Sequence, residues 1–497
     1  MYFNIKSILW NHGFKEKESY KNIYIHLYEA FKKAILNKAL GSNIKLPPSR
    51  ILAKDLDISR STVLKAYNLL VLEKYVKTVK GSGYYVLSSK DKKIYQKLNS
   101  NATTGKYPKL SKRSKAFRKN IYLSSNNSLS KGIAFRPGLP PLDIFPVSKW
   151  GGLITNYWRN VRPSELSYSN TIGLECLRKN ISTYLKVYRN INCNADQIII
   201  TSGSLHSLYL ISNSLINKGD EVVIENPTYP RAYDLLNSLN AKIEPTAIDE
   251  EGICIAKTTS KNPKFIYTTP SNQYPLGIKM SLNRRCELLE WAREKNAFII
   301  EDDYNHEFSN WENPISSVYS LNNEERVIYL GTFNKLLHPS LRLGYMIVPY
   351  YLIDTVKAIY EQSSRFVPPS TQKTMSQFIE KDYLNKHLRN VIAVSKERKE
   401  IFTTHFDNFF EGQIQLDNSN TGLHLIGKVK NNHSDELLSE TLSQNNIIAH
   451  PLSNYFVGSQ KQNGLVMGYC SVNNKVIKEN IYKMYKVYSD SQKNIPL

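Results

Sequence analysis

Residues 326–345 read RVIYLGTFNKLLHPSLRLGY. The run Val327–Leu330 is short, apolar and β-branched, which predicts a buried strand. Gly331 and Thr332 close it. Lys335 follows between Phe333 and Leu336, and Arg342 stands seven residues further on. A lysine at a strand end is usually a solvated surface residue. Here its neighbours are apolar and an arginine lies close behind.

The same rhythm extends outward from this stretch, back to about residue 132 and on to the C-terminal region. Strand-like runs QIIIT, EVVIE, KFIYT, AFIIE, RVIYLG and YMIVP alternate with the helix-like segments LECLRKNISTYLKVYR, SLHSLYLISNSLIN and SLNRRCELLEWAREKN. That alternation predicts an α/β domain with a parallel sheet and helices on both faces. Ligands of such sheets sit beyond the strand C-ends. After QIII come Thr201, Ser202, Gly203 and Ser204 at a helix start. Their N–H groups and hydroxyls suit an anion such as a phosphate, or serve as an ordinary helix cap. After AFII come Glu301, Asp302, Asp303 and Tyr304. Acidic residues at that point serve as helix caps or as metal ligands.

These parts together answer the needs of pyridoxal 5′-phosphate (PLP). Its aldehyde requires an amine with which to form a Schiff base, and a partly desolvated Lys335 suits. Its pyridine nitrogen needs a carboxylate to stay protonated, and Asp302 supplies one. Its phosphate needs a helix N-terminus, hydroxyls and a cation: Ser202, Gly203, Ser204, Thr332 and Arg342.

The front of the chain has a different character. Residues 1–131 hold 27 Lys/Arg against 7 Asp/Glu, and the remaining 366 hold 39 against 36, so a front end of +20 precedes a body of +3. That asymmetry points to a polyanion partner. Residues 20–38 place Ile23, Leu27, Ala30, Phe31, Ala34 and Ile35 at helical spacing. Ser49 is a predicted N-cap for a short helix SRILAKDL, the segment DIS turns the chain, and a second helix begins at Arg60 with Val63, Ala66, Tyr67 and Leu70 on one face. Two short helices around a tight turn make a helix-turn-helix, the second being the reader. VKTVK and YYVLS around Gly81-Ser82-Gly83 read as a β-hairpin wing. Arg60, Ser61 and Thr62 at the reader's start, Lys65 one turn on, and Lys77 and Lys80 beside the wing suit phosphates and base edges. Gly81 and Gly83 let the wing backbone approach a duplex. Domain limits are expected at 15–87 for this winged helix, 88–131 for a basic Ser/Asn/Lys-rich linker, and 132–497 for the large domain.

Other classes are excluded by composition. No run of about 18 apolar residues predicts a transmembrane helix, and the N-terminus lacks the form of a signal peptide. The five cysteines are scattered with no CxxC pair, which argues against a zinc site or a disulfide framework and for a reducing cytoplasm.

Two resemblances rest on these residues. LPPSRILAKDLDISRSTVLKAYNLLVLEKYVKTVKGSGYYV resembles the winged helix of GntR-type regulators. YSNTIGLECLR, ITSGSLHSL, VVIENPTYPRAY, TTPSNQYPLG, IIEDDYNHEF and GTFNKLLHPSLRLGY, in that order, resemble the fold type I aminotransferase-like domain of the MocR subfamily of those regulators. The resemblance implies a winged helix-turn-helix fused to a large α/β domain with a smaller C-terminal α+β subdomain. It implies that Arg50, Arg60, Thr62 and the Gly81–Gly83 wing touch double-stranded DNA. In the large domain it implies Lys335 as the Schiff-base lysine and Asp302 as the pyridinium partner. Tyr304 and the Asn272-Gln273 pair fall to the ring hydroxyl, and Tyr229 to ring stacking. Arg231 falls to an effector carboxylate, and Tyr168 to a neighbouring subunit's site.

The chain also departs from the pattern. Leu64 stands where a basic residue is frequent, Asn170 where Asp is, Asn334 where Ser is, and Leu205 where Gln is. In GLVMGYC, Val466 occupies the position of the arginine with which aminotransferases grip the substrate α-carboxylate, and a valine cannot make that paired hydrogen bond. The expectation is a cytoplasmic, homodimeric, PLP-binding transcription regulator that meets repeated half-sites. Its effector is PLP, an amine or an amino acid, and it controls genes of vitamin B6 or of amino-acid and amine metabolism. The alternative is a working aminotransferase with a basic extension.

Overall fold

The computed structural model describes residues 5–14, 22–87, 109, 111, 114, 134–308, 315–322, 325–417, 422–429 and 434–493. The expected linker 88–131 lies almost wholly outside them. The chain divides into two units, residues 1–109 and 110–497.

Tyr67 holds the first unit together. It is fully buried, and its hydroxyl donates a 2.9 Å hydrogen bond to the Pro47 carbonyl. That bond ties helix α4 (Arg60–Leu72) to the loop ahead of α3 (Ser49–Asp55). The apolar faces anticipated on α2 (Ile23–Leu36) and α4 are buried against each other except for Ile23, which is exposed, with Phe31 edge-on to Tyr67 at 5.6 Å. Ser59 caps α4 by accepting a hydrogen bond from Thr62 N. The wing is the antiparallel pair β1 (Val76–Val79) and β2 (Gly83–Val86), and Gly81 and Gly83 take φ of +78° and +117°. Two details differ from the sequence reading. Pro48, already extended, is the cap position of α3 and Ser49 is its first helical residue. A further helix α1 (Ile5–Asn11) precedes residue 15 and buries Ile5, Leu9 and Phe14 in the same core.

In the second unit all six strand-like runs are strands: β3 (Ile198–Thr201), β4 (Glu221–Asn226), β7 (Pro263–Thr268), β8 (Phe298–Asp302), β9 (Val327–Thr332) and β10 (Gly344–Ile347). With β5 (Lys242–Asp249) and β6 (Gly252–Ile253) they form one sheet of order β3-β10-β9-β8-β7-β4-β5-β6. The sheet is mixed rather than parallel. β10 runs antiparallel to both β3 and β9, and β6 antiparallel to β5. The reason is length: residues 333–343 are too few for a crossover helix, so the chain can only turn back.

The C-terminal part is the expected α+β subdomain. Its antiparallel sheet, ordered β11 (Ile414–Asp417), β12 (His424–Val429), β14 (Gly464–Gly468), β13 (His450–Pro451), packs on the helices Tyr383–Phe410, Asp435–Gln444 and Asn474–Lys493. Phe402, Phe406 and Phe410 stack down the first of these helices into that core. Arg398 on the same helix grips Asp143 through both terminal nitrogens (3.0 and 2.6 Å) and the Cys470 carbonyl (2.6 Å). It thereby fixes the segment 134–146 to the C-terminal part.

Candidate cofactor and DNA sites

Parallel pairing aligns the ends of β8 and β9, and β10 links β9 to β3, so Asp302, Thr332 and Thr201 lie along one edge of the sheet. Lys335 and Asp302 are close enough to act on one another there. Burial lowers the Lys335 amine to about 8, against the pull of Asp302, and Arg231 pushes the same way as burial. Its Nζ donates a 2.9 Å hydrogen bond to the Gly138 carbonyl. Burial raises Asp302 to about 7, although Tyr267 favours its charged form through a 2.8 Å hydrogen bond to Oδ2. Asp302 Oδ1 is buried without a hydrogen-bond partner, since the Ser204 hydroxyl lies near without reaching bonding geometry. Tyr304 Oη is likewise buried and unpartnered.

The opposite end of the site is built around Gly203, whose φ of +121° brings the chain into the helix Ser204–Leu215. A Cβ at Gly203 would lie 2.9 Å from Asn334 Nδ2, and one on Gly344 would lie 2.7 Å from Gly203 Cα. Bare backbone is therefore required where β3, β10 and the Lys335 turn converge. Asn334, the departure from Ser, braces that turn: its N donates to Thr332 Oγ1 (3.2 Å) and its Oδ1 accepts from Leu343 N (3.2 Å). Ser202 Oγ pairs with His206 Nδ1 at 3.0 Å. Burial, and then Arg342, lower His206 to about 4, so it is neutral at pH 7. Arg342 itself sits in the left-handed region at φ +51° and also acts on Tyr229.

The donor set fits PLP. An orphaned carboxylate oxygen awaits a protonated ring nitrogen, and an orphaned phenol a ring oxygen. A buried amine lies beside them, and hydroxyls, helix N–H groups and an arginine lie at the phosphate end. PLP bound here supplies an electron sink conjugated to the amine it holds. The protein's part is to orient it and to keep Asp302 and Lys335 away from water.

The other expected residues divide. Tyr229 is half-buried, with its ring 5.7 Å from Tyr274, and Arg231 acts on Lys335, Tyr229 and Tyr274. Asn272 is buried beside Gly422. Gln273 is a correction. Its Nε2 is spent on the Pro227 and Tyr274 carbonyls (2.8 and 2.9 Å) and Glu225 (3.3 Å), and its Oε1 accepts from Leu276 N (3.1 Å), so it braces the loop and has no donor left for the ring oxygen. Tyr168 stands apart, 80% exposed over the Arg365 guanidinium. Sequence reasoning missed Tyr267, His206 and the Gly138 carbonyl. Of these only Tyr267 carried a signal, as the last aromatic of a strand that ends at the site.

Comparison with known proteins gives the family and the fold. A model of aminotransferase class I and II matches residues 159–474, and one of the gntR family of bacterial regulatory proteins matches residues 23–86. The chain is 30% identical, over 93% of each sequence, to a probable rhizopine catabolism regulatory protein MocR of Rhizobium meliloti. The chain belongs to the MocR type of gntR-family regulators. It is also 25% identical to the pyridoxine biosynthesis transcriptional regulator PdxR of Corynebacterium glutamicum, over 90% of this chain and 92% of that one. Among solved structures, an archaeal alanine:glyoxylate aminotransferase superposes with a TM-score of 0.70 at 23% identity, over 77% of this chain and 98% of its own, which shows the fold. The cofactor of this aminotransferase class is PLP, and the gntR unit is a DNA-binding domain.

On the regulator's DNA-binding unit the expected contacts are solvent-facing. Arg50, Arg60, Ser61, Lys65, Lys80 and Gly81 are exposed, and Thr62 and Gly83 half-buried. Ser59 Oγ gathers the Ser61 and Thr62 hydroxyls at 2.7 and 2.8 Å, and Arg60 Nε donates to Ser49 Oγ at 3.3 Å. This places a cation and three hydroxyls at the positive end of α4. Lys65 stands 5.5 Å over the Tyr24 ring. No helix among the described residues is long and apolar enough to cross a membrane.

Proposed function

We propose that the regulator uses its PLP site as a sensor. PLP, or an amine or amino acid that meets it at Lys335, changes the affinity of the winged helix for DNA, with little or no turnover. The observation that carries this reading is the pairing of half-buried Lys335 with buried Asp302 in a chain whose other unit is a DNA reader, with Val466 in place of a carboxylate-gripping arginine. Such coupling requires the ligand to bind two arrangements of the protein unequally.

We further propose a homodimer, head to tail, in the cytoplasm. Exposed Val147, Trp158, Leu166 and Tyr168 offer an apolar surface that a second copy would cover, with Tyr168 reaching the partner's site. Two readers would then engage two half-sites and gain affinity through effective concentration. The regulated genes would serve vitamin B6, amino-acid or amine metabolism.

The test is to measure, on one preparation, binding to DNA upstream of its own gene and transamination of common amino acids, with and without PLP and candidate amines. A shift in DNA affinity with PLP or amine, and negligible turnover, is expected. Robust turnover with unchanged DNA affinity would replace this reading with that of an aminotransferase.

A further inference from the structure

The small sheet turns one face to its own core and the other to the cofactor site. Along β14, Leu465 and Met467 belong to the core that holds Phe135, Phe402 and Phe406. Val466 points the other way, among Ile426, Leu452 and Tyr455, with Tyr274 and Leu276 packed against them. Register sets His450 of β13 and Ile426 of β12 directly across from Val466, and His424 across from Gly468. Paired residues share a face of the sheet, so both histidines look out with Val466.

Gly468 decides what lies over that face. Its N–H donates to the Phe135 carbonyl at 2.8 Å, and a Cβ there would strike the Arg136 carbonyl. With no side chain at 468, residues 134–138 lie directly against the sheet edge. Two residues after Arg136, the Gly138 carbonyl accepts the Lys335 amine. Arg136 is thus held between the C-terminal sheet and the cofactor lysine.

Cations outnumber carboxylates in this corner, where Asp302 acts on Lys335 and Asp234 lies within reach of Arg231. Beyond burial, the groups acting on His450 are Arg136, Arg231, His424 and Lys335, and none of these is acidic. Lys335 is itself drawn by Asp302, which the pyridine ring would occupy. His424 Nε2 donates to the Pro275 carbonyl at 2.7 Å, and its Nδ1 is buried without a partner, an acceptor for a ligand N–H. Both histidines are held near 4 by burial, so each serves as a neutral hydrogen-bonding group at pH 7. A small zwitterion matches such a corner better than a plain amine does, because its carboxylate meets the half-buried Arg136 and the exposed Arg231.

We propose that Arg136 and His450 form, with Arg231, the carboxylate subsite that Val466 leaves without a charge of its own, and that the effector is an amino acid whose amino group faces Lys335. This rests on the sensor reading above and adds the chemical class of the effector.

The PLP-loaded full chain can be titrated with matched pairs, L-alanine against ethylamine and L-phenylalanine against 2-phenylethylamine, following cofactor absorbance and heat. At least one amino acid should bind about tenfold or more tightly than its amine, the scale of one charged hydrogen-bonded contact. At matched PLP occupancy, Arg136→Gln should abolish that preference by weakening the acid alone. Adding Val466→Arg to it should restore the preference, and His450→Leu should reduce it. Should Arg136→Gln not fold, propionate must compete with the amino acid on the unaltered protein while 1-propanol does not. No preference in the unaltered protein, a preference that survives Arg136→Gln, or no competition by propionate overturns the proposal. DNA binding followed in the same titrations separates the two readings. A carboxylate preference that leaves DNA affinity unmoved keeps the subsite and removes the sensor.

Discussion

Tyr267 Oη donates a 2.8 Å hydrogen bond to Asp302 Oδ2 inside the sheet, from one strand to its parallel neighbour. The bond favours the carboxylate, yet burial still raises Asp302 to about 7, so the group is poised between its two forms until a cation is placed against Oδ1.

Tyr267→Phe removes that donor and moves Asp302 above neutrality. PLP should then bind about tenfold more weakly at pH 7, or ~1.4 kcal/mol. The deficit should narrow at pH 8.5, where the carboxyl ionises without help. Dissociation constants from cofactor fluorescence at the two pH values check this. An equal deficit at both would assign the phenol to packing.

Lys335 gives a second pH signature. The neutral amine is the form that reacts with an aldehyde, and burial lowers this amine to about 8. Covalent capture of PLP by the apo-protein should therefore climb with pH and level off above about 8, where a surface lysine would climb to about 10.4. Between those values the unfolded chain binds more protons than the folded one, so this residue's contribution to apo stability increases as pH rises through the window. At pH 7, Lys335→Met should stabilise the apo-protein by up to about 3 kcal/mol, the attraction to Asp302 being already contained in that shift. Borohydride trapping after stopped-flow mixing, and urea melts of both proteins, test the two statements. PLP trapped on another lysine would sink the assignment.

The strands were readable because each is a compact β-branched run. β5 was not, since KIEPTAID carries a proline and half of its residues are exposed. The direction of β10 was misread for want of one length argument, although Gly331–Tyr345 itself was read residue by residue. Lys335, Asp302, Ser202–Ser204 and Arg342 stood out because each follows a strand end. Arg136, His424 and His450 could not. They come from three distant segments, and only sheet register and a missing Cβ at Gly468 bring them together.

Behind Asp302 lies an ion pair that bears on stability. Arg189 Nη2 meets Asp303 Oδ2 at 2.8 Å with both groups buried, and Tyr329 Oη donates to the same oxygen at 2.6 Å. Burial alone would raise Asp303, but Arg189, His306 and the Tyr329 and Ser271 hydroxyls outweigh it and hold the carboxyl well below its usual range. Arg189→Met strands that charge and should cost about 3–5 kcal/mol in urea unfolding. Asp303→Asn in the same chain should recover part of the loss, because it removes the uncompensated charge. If the double variant is no more stable than Arg189→Met, the pair matters through packing alone.

Ser59 and Arg60 are adjacent, yet their variants should behave oppositely. Ser59 Oγ accepts from Thr62 N at the start of the reader helix, with the Ser61 and Thr62 hydroxyls gathered on it. Ser59→Ala should cost about 1 kcal/mol of local stability. It should appear as faster amide exchange in the first turns of α4, with an equal loss of affinity for all DNA sequences. Arg60 is exposed and its Nε donates to Ser49 Oγ at 3.3 Å, so the fold leans on it little. Arg60→Ala should leave amide exchange unchanged. It should weaken binding to the specific site by about 1–3 kcal/mol if the guanidinium forks onto a base, and relax selectivity at that base pair alone. If it instead weakens specific and random DNA alike and reduces the salt dependence by about one ion, Arg60 holds a phosphate, and base reading passes to other side chains of α4 and the wing.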